Sequence, residues 1–229
     1  MYRIVSQQAD FYVIDKLPGV SVHKDQAECG LVMQLEQDLG EKLWLVHRLD
    51  KMTSGLMLLA RNQQTAATLS ALFRDHQVNK YYLAVSDRKP KKKQGTVSGD
   101  MVRSRRSGWR LTASQDNPAI TQFFSASHSP GIRMILARPL SGKTHQIRVA
   151  LKSLGAPIIG DPIYSEQTNN PADRGYLHAM ALQFMLDGEE HRFIALPTEG
   201  ELFAGDSFEQ AVSGWLKPWD LPWPKTKFR

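Results

Sequence analysis

The stretch LVHRLDKMTSGLMLLAR, residues 45–61, constrains the fold most, because two apolar segments of strand length meet there at a short polar turn. The segments LWLV (residues 43–46) and LMLLA (residues 56–60) predict buried strands. Between them lies Asp50, after the basic pair His47-Arg48 and before a hydroxyl-glycine turn at residues 53–55. A side chain at such a junction can face a cleft while its backbone is anchored on both sides. The pattern therefore makes Asp50 a candidate functional carboxylate.

The rest of the chain is predicted to form short strands and three helices. Helices are predicted over residues 31–40, 62–76 and 144–155, with Asn62 and Thr144 as N-caps and Gly155 just past a C-terminus. Strands are predicted over residues 11–16, 20–23, 80–86, 119–127 and 132–140. Because strands outnumber helices and often follow one another directly, the pattern predicts an α+β fold with a mixed or antiparallel sheet.

The positive charge of the chain is concentrated in one segment. The 229 residues carry a net charge of +6, of which residues 88–110 contribute +8 and the remainder −2. The segment is either a solvated loop or an arm that contacts phosphates, since clustered Lys and Arg gain free energy by releasing counterions from a polyanion. Trp109 offers a ring that could stack on a base. The candidate phosphate contacts are Lys91, Lys92, Lys93, Arg103, Arg105 and Arg106.

Several classes of protein are excluded by the composition. The single cysteine, Cys29, cannot form an internal disulfide framework and suits a reducing cytoplasm. No signal peptide and no run of about 18 apolar residues is evident. The segment SGKT at 141–144 resembles the end of a phosphate-binding loop, but that loop needs a glycine where Ala137 stands. His145 and His178 have no ligand-spaced partner and are expected to be core or hydrogen-bonding residues.

Two interpretations of Asp50 are open from the residues alone: half of a structural salt bridge, or a catalytic acid. Its possible partners are Arg48, Lys80 and Arg148. No second acid, metal-ligand cluster or Ser-His-Asp arrangement in the sequence competes for the catalytic role.

Four segments together resemble the RluA family of RNA pseudouridine synthases, over most of the chain. They are HRLDKMTSGLMLLAR, NKYYLAV, SGKTHQIRVALKSLGAPIIGDPIY and YLHAMALQF, and they occur in the family's order. The start of the chain departs from the family's usual Asn-Lys-Pro-x-Gly, with DKLPG at residues 15–19, and Ala150 stands where a histidine is common. Both departures lie away from Asp50, so they bear on substrate detail rather than on the reaction.

The resemblance implies a role for each matching residue. Asp50 is the catalytic acid, Tyr82 stacks on the target base and assists proton transfer, and Arg148 pairs with Asp50. Burial disfavours an ionised carboxylate, and a guanidinium that grips it opposes that effect. Arg48 is expected to enter the RNA and fill the space of the flipped base. Further expected RNA contacts are His47, Lys80 and Lys143.

The implied reaction isomerises uridine to pseudouridine in structured ribosomal or transfer RNA, which requires no redox cofactor, nucleotide or metal. The implied fold is a single catalytic domain over residues 1–229, with a bent, mostly antiparallel mixed sheet and a central cleft. Many relatives carry a small N-terminal RNA-binding module, for which no room is expected here. Residues 214–229 are expected to form a Trp- and Pro-rich tail that docks irregularly or stays loose. A cytoplasmic monomer is expected.

Two other functions remain open at this point. The chain could be a catalytically inactive RNA-binding protein on the same fold, or a base-excising glycosylase, which also flips bases. A pure binder has no need of an acid facing phosphates, and a glycosylase would leave an abasic site.

Overall fold

A computed structural model describes residues 1–22, 30–104, 108–165 and 172–225. Its first half contains β1 (Tyr2–Gln7), β2 (Phe11–Lys16), α1 (Leu31–Leu39), β3 (Trp44–Leu45), β4 (Ser54–Ala60), α2 (Gln63–Arg74), β5 (Asn79–Ser86), β6 (Gln94–Gly99), β7 (Met101–Arg103) and β8 (Trp109–Leu111). The second half contains β9 (Ala119–Ser129), β10 (Ile132–Pro139), α3 (Gln146–Ser153), β11 (Leu177–Leu186), β12 (Glu189–Ile194) and α4 (Asp206–Val212). Among the described helices, none is long and apolar enough to cross a bilayer.

Ten of these strands form one mixed sheet with the order β1-β2-β4-β11-β5-β10-β9-β6, while β3 pairs with β4 and β12 with β11. Among the described strands of this sheet, only β4 and β11 pair in parallel, and the other pairs are antiparallel. Strands β7 and β8 form a separate hairpin. The predicted α+β fold with a mixed sheet is therefore confirmed.

The parallel contact at the centre of the sheet depends on Gly55. This residue has φ +112°, and a Cβ atom added to it would lie 2.3 Å from the carbonyl oxygen of Ala179. Only glycine allows β4 to approach β11 this closely. The same crossing brings Ser54 beside His178, so the turn that carries Asp50 ends where the two strands meet.

Helices cover both faces of the sheet. On β2, Phe11 and Val13 pack in a cluster with Leu69 of α2. The alternate residues of β2 pack in a second cluster with Leu31 and Leu35 of α1, as the twofold period of a strand requires. A third cluster joins β5 and β10 to α3 and α4. Strand β2 is buried along its whole length because both of its faces are covered.

Three local predictions differ from the structure. Residues 20–22 form no strand, and residue 23 of that prediction lies outside the described residues. The N-cap of α3 is His145 in the left-handed region and not Thr144. Residues 88–110 are not a continuous loop, because β6 and the β7–β8 hairpin fall within them. The basic side chains on β7 and β8 are therefore held on a folded hairpin and not on a loop.

The other predicted elements are confirmed to within a few residues. Asn62 caps α2, with its side-chain oxygen accepting from Thr65 N at 2.8 Å. Gly155 follows the C-terminus of α3 with φ +76°. In the tail, Trp215, Trp219 and Trp223 pack against the core, so residues 214–225 dock, whereas 226–229 lie outside the described residues.

Candidate active site

A cleft of about 560 Å³ opens between the turn before β4, the strand β5 and the start of α3. This volume lies in the range typical of small-molecule and cofactor pockets. The three residues expected to carry the chemistry, Asp50, Tyr82 and Arg148, all line it. They come from positions far apart in the sequence, and the sheet and α3 bring them to one place.

The turn that carries Asp50 is fixed by its backbone. Thr53 N donates to the carbonyl of Asp50 at 3.0 Å, and Gly19 N donates to the carbonyl of Lys51 at 2.9 Å. The second bond ties the turn to the DKLPG segment, which departs from the family pattern. Asp50 therefore sits on backbone anchored from two sides, as expected from its position between two buried strands.

A buried lysine adds a third attachment to this turn. Lys16 at the end of β2 is fully buried, and burial lowers its pKa to about 7. Its ammonium nitrogen donates to the backbone carbonyls of Leu17, Val20 and Lys51 at 3.0, 2.9 and 3.3 Å. These bonds compensate for the lost hydration of the ammonium group, and they hold the loop after β2 against the Asp50 turn.

Asp50 and Arg148 form the ion pair that the family resemblance implies. Arg148 Nη1 donates to Asp50 Oδ2 at 2.8 Å, and the side chain of Asp50 is 27% exposed against 4% for Arg148. The second carboxylate oxygen of Asp50, Oδ1, accepts no hydrogen bond from the described residues. Arg148 therefore occupies Oδ2 of Asp50, and Oδ1 is available to a molecule bound in the cleft.

Arg148 is itself held by Asp161, a residue that the sequence analysis did not single out. Its Nε donates to Asp161 Oδ2 at 2.7 Å and its Nη2 to Asp161 Oδ1 at 2.8 Å, and the Asp161 side chain has no exposed surface. Burial alone would lower the pKa of Arg148, but hydrogen bonds to Asp161 and Asp50 outweigh it and the pKa is raised. The guanidinium thus stays charged and bridges a structural carboxylate to Asp50.

Tyr82 lies on β5, half-buried in the wall of the cleft. Burial, and then the negative charge of Asp50, raise the pKa of its hydroxyl. The hydroxyl therefore stays protonated at neutral pH, and the ring presents a flat apolar surface beside the Asp50 carboxylate.

Four of the expected RNA contacts line the same cleft. Arg48 is exposed and has no hydrogen bond or ion pair with any residue in the described part of the chain. Lys80 is only 7% exposed and reaches the carbonyl of Ser141 at 3.5 Å; burial lowers its pKa. Lys143 donates to the carbonyl of Asn117. None of these described lysines and arginines is paired with Asp50.

His47 also lines the cleft, but its ring is held in the protein. It stacks on Phe73 at 4.1 Å between centroids, and its Nε2 accepts from Leu58 N at 2.9 Å. Burial and the neighbouring Lys80 lower the pKa of His47 to about 3. The ring is thus neutral at physiological pH, so it supplies no positive charge for a phosphate.

The basic segment lies outside the cleft where it is described. Lys91, Lys92 and Lys93 are exposed, and the backbone of this stretch bonds to the carbonyl of Leu154 and to Ser125 N. In the hairpin, the guanidinium of Arg103 lies 4.5 Å from the ring centroid of Trp109. Arg105 and Arg106 lie outside the described residues.

The two histidines set aside in the sequence analysis have different surroundings. His178 is buried and bonds to Ser54 Oγ at 2.7 Å and to the carbonyl of Ala195 at 2.9 Å, as expected for a core histidine. His145 instead lines the cleft, with its Nε2 3.9 Å from Asp50 Oδ2. Its other nitrogen bonds to the Tyr164 hydroxyl at 2.9 Å. The bond to Tyr164 agrees with the expected hydrogen-bonding role, but the position of His145 in the cleft was not predicted, because spacing along α3 does not show what the N-terminus of the helix faces.

Comparison with known proteins gives consistent matches. Residues 10–153 match the model of the RNA pseudouridylate synthase family. A Haemophilus influenzae protein named uncharacterized RNA pseudouridine synthase is 47% identical over 94% of this chain and 97% of its own length. Ribosomal large subunit pseudouridine synthase D of Zymomonas mobilis is 33% identical over 79% of this chain and 61% of its own. Human RNA pseudouridylate synthase domain containing 1 superposes with a TM-score of 0.77 and 25% identity, covering 98% and 97% of the two chains.

Proposed function

We propose, because the chain belongs to the RNA pseudouridine synthase family, that Asp50 is its catalytic carboxylate and that the cleft receives a flipped uridine. The protein is an RNA pseudouridine synthase, an isomerase that acts on uridines of RNA. The observation that supports the assignment of Asp50 is its ion pair with Arg148 at 2.8 Å inside the cleft. An inactive RNA-binding protein would have no use for an acid with a free oxygen at that place.

The reaction requires an ionised acid beside the sugar. The glycosidic bond between ribose C1′ and the N1 atom of uracil breaks, the base turns over, and its carbon 5 bonds to C1′. A proton leaves that carbon and N1 gains one, so the composition of the RNA is unchanged. Asp50 Oδ1, which no described residue binds, is the oxygen that we assign to attack at C1′ or to proton removal at C2′. Both routes use the same carboxylate.

The other residues of the cleft bind and orient the nucleotide. Tyr82 offers its ring to the uracil face, where stacking is tolerant of the base's rotation. Arg148 keeps Asp50 ionised and in place, and Asp161 keeps Arg148 in place. The guanidinium of Arg48, which is exposed and has no partner in the part of the chain that the structure describes, is suited to fill the space that the flipped base leaves in the RNA.

We assign RNA backbone binding to the positive charges in and around this cleft. Lys80 and Lys143 line it, and the exposed side chains of Lys91, Lys92 and Lys93 add positive charge near the C-terminal end of α3. Arg103 presents its guanidinium from the hairpin. The assignment extends to Arg105 and Arg106 on their sequence position alone. We assign no charged contact to His47, whose ring is neutral.

The substrate that we propose is structured ribosomal or transfer RNA. The name of the Zymomonas mobilis relative, which refers to the large ribosomal subunit, favours ribosomal RNA. We further propose that the enzyme works as a cytoplasmic monomer without cofactor or metal. The single cysteine supports a reducing compartment, and a reaction with no net redox change needs no redox cofactor.

Mapping of pseudouridine in total RNA from cells with and without this gene tests the function and identifies the target. We expect one or a few uridines to lose the modification when the gene is deleted, and the purified protein to restore it on a transcript of that RNA. The mass of the RNA must stay the same throughout. An abasic product would instead identify a glycosylase, and binding without modification of any RNA would identify an inactive relative.

A further inference from the structure

His145 occupies a position in the cleft that its sequence context does not explain. It precedes α3 with φ 58° and ψ 17°, a left-handed conformation that a non-glycine residue adopts at a cost. Its side chain is 15% exposed and its Nε2 lies 3.9 Å from Asp50 Oδ2. Strained backbone is concentrated at functional sites, so the conformation of His145 beside Asp50 indicates a functional side chain.

The hydrogen bonds of Tyr164 favour one tautomer of the His145 ring. The hydroxyl oxygen of Tyr164 accepts from the backbone N–H of Trp109 at 2.8 Å. Its single proton is then free to be donated to His145 Nδ1 at 2.9 Å. When Tyr164 donates in this way, Nδ1 is the acceptor and a neutral imidazole holds its proton on Nε2. That N–H lies on the side of the ring nearer Asp50.

Neutrality of the ring follows from its surroundings. Burial and the adjacent Arg148 guanidinium lower the pKa of His145, and the charges of Asp50 and Asp161 oppose this only in part. Tyr164 also lies beside Arg148, whose guanidinium carbon is 5.0 Å from the centroid of the tyrosine ring. Tyr164 therefore contacts both His145 and Arg148, the two residues that approach Oδ2 of Asp50.

We propose that His145 is a positioning residue for the reaction, whose Nε2–H binds Oδ2 of Asp50 together with Arg148 when the substrate closes the cleft. This proposal rests on the proposed role of Asp50. Two donors on Oδ2 fix the rotation of the carboxylate, so that Oδ1 faces the sugar. The distance of 3.9 Å must shorten by about 1 Å to make a hydrogen bond, and catalytic hydrogen bonds commonly tighten in this way when substrate binds.

The arrangement also links the hairpin to the active site. Trp109 begins β8, and its N–H fixes the Tyr164 hydroxyl that orients His145. Arg103, opposite Trp109 in the hairpin register, carries the guanidinium proposed to contact RNA. A hairpin held in place by RNA would hold the imidazole in its reactive orientation.

Two substitutions at this position separate the proposal from a purely structural role. His145→Asn tolerates the left-handed backbone best and places an amide near Nδ1, but it lacks a donor at the position of Nε2. His145→Gln extends an amide N–H to about the position of Nε2 but gives up the contact with Tyr164. If His145 has only a structural role, the Asn variant should have the higher kcat. If the proposal is right, the Gln variant should have the higher kcat.

The measurement is kcat and KM of both variants on the target transcript, with melting temperature and RNA affinity as checks of folding. We expect His145→Asn to lose about tenfold or more in kcat with KM nearly unchanged, a loss typical of one hydrogen bond to a charged group. His145→Gln should retain a clearly higher kcat. A kcat for the Asn variant equal to or above that of the Gln variant would overturn the proposal.

Failure to fold does not leave the question open. If His145→Gln is unstable, a folded His145→Asn with the kcat of the wild type is enough to overturn the proposal, and a folded His145→Asn with the predicted loss in kcat alone supports it. Failure of the proposed function can be told apart from failure of the His145 proposal, because the wild type would then form no pseudouridine in the same assay.

Discussion

Substitution of Asp161 by Asn is expected to destabilise the protein and slow catalysis, although Asp161 does not line the cleft. Its carboxylate accepts from Arg148 Nε and Nη2 and from the backbone N–H groups of Ile163 and Tyr164. An asparagine can keep the bonds to Oδ1, but its amide N–H₂ would face the Nε–H of Arg148, donor against donor. The buried guanidinium then loses its fully buried counterion.

The magnitude follows from the burial of this pair. Removal of one partner from a buried ion pair typically costs about 3–5 kcal/mol. Arg148 keeps its bond to the partly exposed carboxylate of Asp50, so we expect a loss near the lower end, about 3 kcal/mol. Because Arg148 is then fixed on one side only, kcat should fall while RNA affinity stays near that of the wild type.

Urea unfolding of Asp161→Asn, Arg148→Met and the double variant measures the coupling directly. Each single variant leaves one buried charge without its partner, whereas the double variant leaves neither, so the double should be more stable than the sum of the singles predicts by about 2 kcal/mol. Asp75→Asn is the matched control, because Asp75 pairs with Arg74 on an exposed surface, where such pairs contribute less than about 1 kcal/mol. Additive losses, or a loss in Asp161→Asn no larger than in the control, would refute the reasoning.

Three further predictions concern RNA binding, pH and the sheet. Replacing the lysines at 91–93 with glutamine should weaken RNA binding and reduce the slope of log affinity against log salt concentration by roughly one counterion per lost phosphate contact. An unchanged slope in filter-binding titrations would show that these lysines do not contact the RNA. Burial lowers the pKa of His178 to about 4 from an ordinary 6.5, so its contribution to stability is fully present above pH 6.5 and is lost as the pH falls towards 4. The free energy of unfolding relative to His178→Gln should accordingly drop by up to about 3 kcal/mol over that range, and a constant difference would contradict the neutral buried ring. Gly55→Ala should lower the melting temperature by several degrees, since its Cβ would overlap the carbonyl of Ala179; calorimetry showing the melting temperature of the wild type would contradict the need for glycine there.

Much of the fold and the centre of the site could be predicted from the sequence. The strands and helices with clear periodicity were found because their burial patterns follow the sequence, as in α2 with its Asn62 cap. The pairing of Asp50 with Arg148, 98 residues apart, came from family motifs and not from spacing. No local pattern could have predicted that distance, since only the packed sheet brings the two residues together.

The missed features share one physical cause: they depend on contacts between distant segments. Asp161 was not singled out from the sequence, because its role is set by a guanidinium on α3. The left-handed entry to α3 moved the cap from Thr144 to His145. Residues 20–22 have strand-forming side chains, but the carbonyl of Val20 is used by the Lys16 ammonium instead of a neighbouring strand.

The catalytic role of Asp50 is tested by turnover of Asp50→Asn on a target transcript labelled with tritium at carbon 5 of uridine. Asparagine keeps the size of the side chain and an acceptor for Arg148, so the variant should fold and bind RNA like the wild type. Asp75→Asn serves again as a control that should release tritium normally. We expect no tritium release above background from Asp50→Asn; substantial release by a folded, RNA-binding variant would rule out Asp50 as the catalytic carboxylate.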